Sequence, residues 1–339
     1  MSIKDSISAG VLNPGCETAD VERIFNDEES VRRLIGRLGE PGLLRVCYEA
    51  GPTGYDLARL LGRMGVSCQV IAPSMIPKAP GDKVKTDTRD ARRLARLHRA
   101  GELVAIRVPT PLEEAVRDLC RTRGDMVEDL TRARNRLTKF LLRHSNIWRG
   151  GSNWTVKHEA WLAAQRFDEP ALQTTFEHYR AVVISRDAQL AAVEADLRAW
   201  LGREPFAAMG ALSLQAEVCD WRRFGRAAQM MGFVGLVPTE YSSGGSTHRG
   251  HITKAGNTHL RAQLVESAWA YQHRPYVGSE IAKRHDGLPP EVVARAWKAP
   301  LRLCGRFRHL AARKNTKSVV AAAIARELAG FLWAEMTAA

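Results

Sequence analysis

The chain has 339 residues, 45% of them hydrophobic and 26% charged, a balance that excludes a disordered chain. That length allows two or three domains with real cores. Lysine and arginine number 50 against 37 acids, and the formal net charge of +13 suits a polyanion such as nucleic acid.

The first part of the chain reads as α/β. Ala9 to Leu12 and Val21 to Phe25 are short strand candidates, and Glu28 to Leu38 has helical spacing. Leu43 to Tyr48 is a compact apolar strand that runs into Glu49. The turn Gly51-Pro52-Thr53-Gly54 follows, with Thr53 placed to cap a helix from Tyr55 to Met64. Cys68 to Ala72 is a further strand. A proline-rich connection from Pro73 to Pro80 leads to a helix from Asp90 to Arg99. Strands alternating with helices predict a mostly parallel sheet, in which active groups gather at the C-terminal strand ends. Glu49 lies at such an end.

Residues 112–144 change character. Leu112, Val116, Leu119, Met126, Leu130, Ala133, Leu137 and Phe140 repeat at alternating spacings of four and three, and Leu172 through Trp200 do the same. Two long helices with a period of about 3.5 residues predict an antiparallel coiled-coil hairpin. Arg123 and Arg186 interrupt the stripes, where looser packing is expected. The link, residues 149–169, with Trp148, Trp154 and Trp161 in or beside it, reads as a small cap or a partner contact. Arg117, Arg121, Arg132, Arg134, Arg136, Lys139 and Arg143 of the first helix form either a solvated face or a phosphate track. Residues 205–339 read as mainly helical, with helices expected at Ala216 to Met230, Thr258 to His273, Glu291 to Ala311 and Val319 to Trp333.

Three features could carry chemistry. Asp87 and Asp90 lie three residues apart, so a helix puts them on one face. Such a pair is either a helix N-terminus, where aspartate caps free N–H groups, or a magnesium site working on a polyanion. Ser242-Ser243-Gly244-Gly245 is followed at once by the basic, glycine-containing run Arg249 to Asn257. This is either a flexible turn or a phosphate cradle. In the second case Arg249, Lys254 and Arg261 neutralise the phosphate and a serine acts as nucleophile on phosphorus. Residues 231–339 carry 15 basic residues and only 7 acids. Arg302, Arg306, Arg308, Arg313, Lys314 and Lys317, with Trp297 and Phe307 interleaved, are the residues expected to bind DNA or RNA backbone.

Other chemistries find no support. The six cysteines are scattered singly with no zinc spacing, a reduced intracellular pattern. The ten histidines show no ligand spacing, and no Walker loop or dinucleotide fingerprint occurs. Neither a signal peptide nor a long apolar run is found, so no membrane partner is expected and the protein is placed in the cytoplasm, on the nucleoid.

The motifs in order resemble the DEDD transposases of the insertion sequence 110 group. Tyr48-Glu49-Ala50-Gly51-Pro52-Thr53-Gly54-Tyr55 is similar to the family's glutamate motif, and Lys85-Thr86-Asp87-Thr88-Arg89-Asp90-Ala91 to its paired-aspartate motif. Gly235-Leu236-Val237-Pro238 through Ser243-Gly244 to Ile252-Thr253-Lys254-Ala255-Gly256-Asn257 resembles its C-terminal signature. Ala325 to Trp333 resembles its chain end.

The resemblance implies a RuvC-like, ribonuclease-H-type α/β domain over 1–110 and a coiled-coil hairpin over 111–204. A mainly α transposase domain would follow over 205–339. It implies Mg2+ held by Glu49, Asp87 and Asp90, and a serine–DNA covalent intermediate on Ser243, with Ser242 as runner-up. It also implies donor and target DNA, a structured noncoding guide RNA, and a homo-oligomer, dimer to tetramer. Two departures are expected to matter. The family's first strand and its aspartate would fall at about Met1, so the N-terminal domain reads as truncated there. The stretch Phe206 to Val218 is short beside the family's segment. Two rival readings remain: a metal-only nuclease of the junction-resolvase type, and a catalytically impaired remnant that still binds nucleic acid.

Overall fold

The computed structural model describes residues 2–3, 5–77, 86–201, 209–313 and 316–338. The chain divides into two compact units, Met1–Thr110 and Pro111–Ala339.

The first unit is α/β. Strands β1 (Ser2–Ile3), β2 (Ser6–Val11) and β3 (Asp20–Phe25) form an antiparallel sheet in that order. Helix α1 (Glu28–Leu38) follows, opened by Asp27, whose carboxylate accepts from the Ser30 N–H at 2.7 Å. Strand β4 (Arg45–Glu49), helix α2 (Asp56–Arg63) and strand β5 (Ser67–Ile71) form a βαβ unit. Helix α3 (Asp87–Arg99) and strand β6 (Ala105–Ile106) complete the unit. The second sheet runs β4-β5-β6, parallel in its first pair and antiparallel in its second.

The expected mostly parallel sheet is therefore corrected: β4 with β5 is the one parallel pair among the described strands. The connection from Val11 to Asp20 is too short for a crossover helix, so β2 and β3 must pair as a hairpin. Thr53 does not cap α2. The N-cap position is Tyr55, without a side-chain cap, and Asp56 supplies the favourable negative charge in the first turn.

Both sheets share one core, in which Ile7 and Ile24 pack with Val31, Ile35, Leu60, Leu61, Val46 and Cys68. They are nevertheless not hydrogen-bonded to each other. β2 extends through Ser8 to Val11 beyond the stretch that β1 pairs, and among the described strands β4 pairs only with β5. Helix α3 bridges the two. Ala91 lies against Gly10 of β2, and the Leu94 carbonyl accepts from the Cys47 thiol of β4 at 3.9 Å.

A Cβ at Gly10 would sit 2.7 Å from the Ala91 carbonyl oxygen, closer than packed atoms approach. Gly10→Ala should therefore push α3 off the sheet and cost about 1–3 kcal/mol, read as a shifted urea midpoint.

The second unit is helical. Helices α4 (Pro111–Arg143) and α6 (Pro170–Leu201) run antiparallel, joined through α5 (Val156–Ala164). Arg123 meets Glu194 at 2.8 Å, Arg134 meets Asp187 at 2.9 Å, and the Phe140 and Tyr179 rings lie 5.7 Å apart. Leu130, Ala133, Leu137 and Phe140 pack on Phe176 and Val183. At Arg123 the charge on the stripe is met by Glu194 of the facing helix. Arg186 instead turns outward to Gln189. The link closes on itself: buried His158 accepts from the Trp154 N–H at 3.0 Å and stacks on Trp161.

Beyond the hairpin come α7 (Met209–Val218), α8 (Ala227–Phe233), strands β7 (Pro238–Glu240) and β8 (Arg249–Ile252), and α9 (Thr258–Ala268). Then follow α10 (Ser279–His285), α11 (Pro290–Ala312) and α12 (Lys317–Thr337). Helix α12 is the centre of this core, with Ala321, Ile324, Ala325 and Ala329 fully buried among Met230, Leu260, Leu264 and Leu303. The single helix expected over Ala216 to Met230 is two helices. Cys219 adopts φ 61, and the Asp220 carboxylate accepts from the Arg222 N–H, starting a short 3-10 turn.

Candidate active site

The carboxylates come from the first unit. Glu49 is the last residue of β4, paired with Ile71 at the matching end of β5. Both strands point their C-terminal ends the same way, so Glu49 stands at the edge where parallel sheets expose their functional groups. Asp87 and Asp90 lie in the first turn of α3. The cap of that helix is Thr86, whose hydroxyl accepts from the Arg89 N–H at 3.3 Å, so the helix start needs neither aspartate as its N-cap residue.

Asp90 Oδ2 is buried and has no hydrogen-bond partner among the described residues. A buried carboxylate oxygen without a donor is costly, and a cation is one way to satisfy it. Carboxylate oxygens are the ligand type of hard divalent ions, and Mg2+ commonly takes one or two of them plus water and substrate phosphates. The aspartate pair fits that pattern. Among the described residues no three His, Cys, Asp or Glu side chains converge on one point, so Glu49 is not gathered with the pair into a closed cage. Lys85, which opens the paired-aspartate motif, lies outside the described residues.

The serines come from the second unit. They sit at the exposed tip of the β7–β8 hairpin, which is antiparallel with an irregularity between Pro238 and Glu240. Ser243 and Ser246 exchange backbone hydrogen bonds at 3.2 Å each, and Gly244 supplies the left-handed turn at φ 58. The Ser242 hydroxyl donates to Glu240 Oε1 at 2.8 Å, and Arg249 Nε donates to Glu240 Oε2 at 3.4 Å. These two hydrogen bonds hold the Glu240 carboxyl below the usual range.

The loop after β8 is bolted to the segment before β7. The N–H groups of Thr253, Lys254 and Asn257 donate to the carbonyls of Val237, Gly235 and Phe233 at 2.8, 3.1 and 3.0 Å. Gly256 at φ 100 lets the chains meet this closely, since a Cβ there would fall 2.1 Å from the Phe233 oxygen. Lys254 is held at φ 54, an uncommon conformation for a non-glycine residue, with an exposed side chain. Asn257 caps α9 by accepting from the Leu260 N–H at 2.9 Å, and Arg261 donates to the Val234 carbonyl at 3.0 Å.

The basic residues of α11 and of the stretch leading into α12 divide. Arg302 and Arg306 both reach Glu327 of α12, at 3.0 and 3.2 Å. Arg308 donates to the Cys304 carbonyl at 3.4 Å. Arg313 and Lys317 are exposed, and Lys314 lies outside the described residues. Arg117 and Arg121, read from the sequence as a solvated face or a phosphate track, do neither. Arg121 donates twice to Glu217, at 2.7 and 3.0 Å, and Arg117 donates to the Ala216 carbonyl at 3.0 Å. Glu217 is buried, and sequence reasoning missed it. The signal was an acid alone in the apolar run Leu212 to Cys219.

Among the described residues no helix is long and apolar enough to cross a membrane. A sequence model of DEDD transposases of the IS110 type, described as "Transposase", matches residues 3–146. One described as "Transposase IS116/IS110/IS902 family" matches residues 194–282. The chain is 47% identical over 291 residues to a putative transposase, y4qE, of Sinorhizobium fredii, covering 85% of this chain and 74% of that protein. It is 35% identical to the transposase for insertion sequence element IS1533 of Leptospira borgpetersenii, covering 92% and 95%. The transposase for IS1111A of Coxiella burnetii is 26% identical over 61% of this chain and 60% of that protein. Such a protein works on DNA, and the DEDD class depends on divalent metal. With both halves of the chain matched in order, the chain belongs to the IS110 family of insertion-sequence transposases.

Proposed function

We propose that this transposase cuts and rejoins DNA strands through a serine–DNA intermediate, with Glu49, Asp87 and Asp90 as the Mg2+-binding acids. The observation that carries the reading is Asp90 Oδ2, buried beside Asp87 at the start of α3 and without a hydrogen-bond partner among the described residues. Bound Mg2+ would polarise the scissile phosphate and offset developing negative charge. Ser243 Oγ attacks phosphorus, with Ser242 the alternative. One P–O bond of the strand breaks, the serine becomes a phosphodiester, and a DNA hydroxyl is released after taking up a proton. If Ser242 attacks, its proton passes to Glu240, which already accepts that O–H. A DNA hydroxyl then attacks the seryl phosphodiester, re-forms the strand and frees the serine. Lys254, Arg249 and Arg261 would meet the backbone phosphates, and Arg313 and Lys317, both exposed, are further phosphate contacts. A structured noncoding RNA selects donor and target, and the protein acts as a homo-oligomer, dimer to tetramer, on the nucleoid. The basic surplus of residues 231–339 supports a nucleic-acid partner of either kind.

A second reading, an impaired copy that binds nucleic acid without cutting it, is favoured by two observations. Among the described residues Glu49 does not converge with the aspartates, and the sheet is divided between β2 and β4 beside them.

The deciding experiment incubates the full-length protein and the element's RNA with a supercoiled plasmid carrying the insertion sequence and its flanks. The proposal expects recombinant junctions that need Mg2+, vanish with EDTA, and fall at least about 10³-fold in Asp87→Asn with Asp90→Asn. Salt-sensitive binding with no cleavage under any metal would reject it in favour of the second reading.

A further inference from the structure

Glu217 is placed where a structural acid has little reason to be. It sits near the C-terminal end of α7, where a negative charge opposes the helix dipole, and only 5% of it is exposed. Both carboxylate oxygens are used. Arg121 of α4 donates to each, and the Asn257 amide donates to Oε2 at 2.5 Å. Asn257 is the junction of the loop that carries Lys254: its backbone N–H is bonded to Phe233, and its side-chain oxygen caps α9. One carboxylate thus ties the long helix α4 to the last residue of that loop and to the first turn of α9, which carries Arg261. Residues 121, 217 and 257 are far apart in sequence, so nothing local requires this meeting.

We infer that Glu217 is a positioning residue for the transposase reaction. Through Asn257 it fixes the 253–257 loop and the start of α9, so that Lys254 and Arg261 stand at a set place beside the serine hairpin. The functional part of this inference rests on the serine-and-phosphate reading proposed above. The clamp itself does not.

The test compares full-length wild type with Glu217→Gln and with Glu217→Gln combined with Asn257→Asp. The single change turns one acceptor into a donor facing the Asn257 amide. The second change moves the carboxylate across the pair, and aspartate still caps α9. Hydrogen exchange should rise about tenfold or more at the amides of 253–257 in the single variant, with residues 124–143 unchanged. Recombination on the plasmid should fall about 10–100-fold while DNA affinity stays within about twofold, the signature of misplacement rather than lost binding. The paired variant should bring both readouts most of the way back.

Exchange equal to wild type in the loop, or raised equally through the whole second unit, overturns the clamp. A loosened loop with undiminished recombination overturns its role in the reaction. If wild type gives no recombination, the proposed function fails, and the exchange measurement still decides whether Glu217 holds the loop.

Discussion

Replacing Ser242 and Ser243 together by alanine should reduce recombinant junctions at least about 10³-fold, the scale lost when a nucleophile is removed. The protein should remain folded, because both side chains are exposed at a hairpin tip whose backbone bonds, Ser243 to Ser246, do not involve the hydroxyls. The single variants separate the two candidates. If Ser243 attacks, Ser242→Ala keeps most activity and loses only the contact to Glu240. If Ser242 attacks, Glu240→Gln should slow the reaction as well, since the proton acceptor at 2.8 Å is gone. Denaturing gels of stalled reactions check the same point, because protein linked to DNA migrates as one species. Full recombination in the double variant would leave the metal-only nuclease as the surviving mechanism.

Replacing Glu217 by leucine should have the largest effect on stability. The side chain is 4% exposed, and its loss leaves Arg121, Arg117 and Asn257 facing an apolar group. Breaking a buried pair from one side typically costs about 3–5 kcal/mol, which for a unit of this size is a Tm lower by about 10 °C. Arg121 is 38% exposed and can turn partly to water, which places the expected loss at the lower end of that range. Removing the opposing charge as well, with Arg121→Met on the leucine background, should recover part of the loss in a double-mutant cycle.

The pH dependence of this site has a definite sign. Burial pushes the Glu217 carboxyl up, but the hydrogen bonds from Arg121 and Asn257 and the charges of Arg121 and Arg117 outweigh it and leave it depressed. A depressed acid contributes stability above its unfolded pKa of about 4.3 and loses it as pH falls through the folded value. The wild-type Tm should therefore drop on acidification below about pH 4 by more than that of Glu217→Gln.

The strength of the local signal decided which features were legible before the fold was known. Helices α4 and α6 are readable because an apolar stripe repeated over nearly thirty residues admits one periodicity. The helix starts one turn before Asp90: the N-cap is Thr86, although aspartate is the stronger capping residue type, because the backbone bends into extended geometry there. Helix α7 merged with α8 in the sequence because the break is a backbone conformation at Cys219, a residue type that does not announce one. Lys254 shows the same blindness, since φ 54 at a lysine has no sequence mark.

Charge was the least legible quantity. Arg302 and Arg306 read as nucleic-acid ligands from an excess of basic residues, yet both meet Glu327 on the next helix. Arg121 read as solvent or phosphate contact, and its partner is 96 residues away. A side chain's charge is written in the sequence, but its counter-ion is chosen by tertiary proximity, and burial sets the strength of the pair.

By itself, then, the sequence determined the family, the order of the motifs, the acids at a strand end and a helix start, and the serine-glycine turn. These are properties of residue type at short spacing, where backbone geometry leaves few alternatives. Only the tertiary structure decided that the N-terminal strands form two sheets bridged by α3. It alone left Asp90 Oδ2 without a donor among the described residues and gathered Arg121, Glu217 and Asn257 into one clamp. Those outcomes depend on which surfaces exclude water together, and no stretch of sequence contains both sides of such a contact.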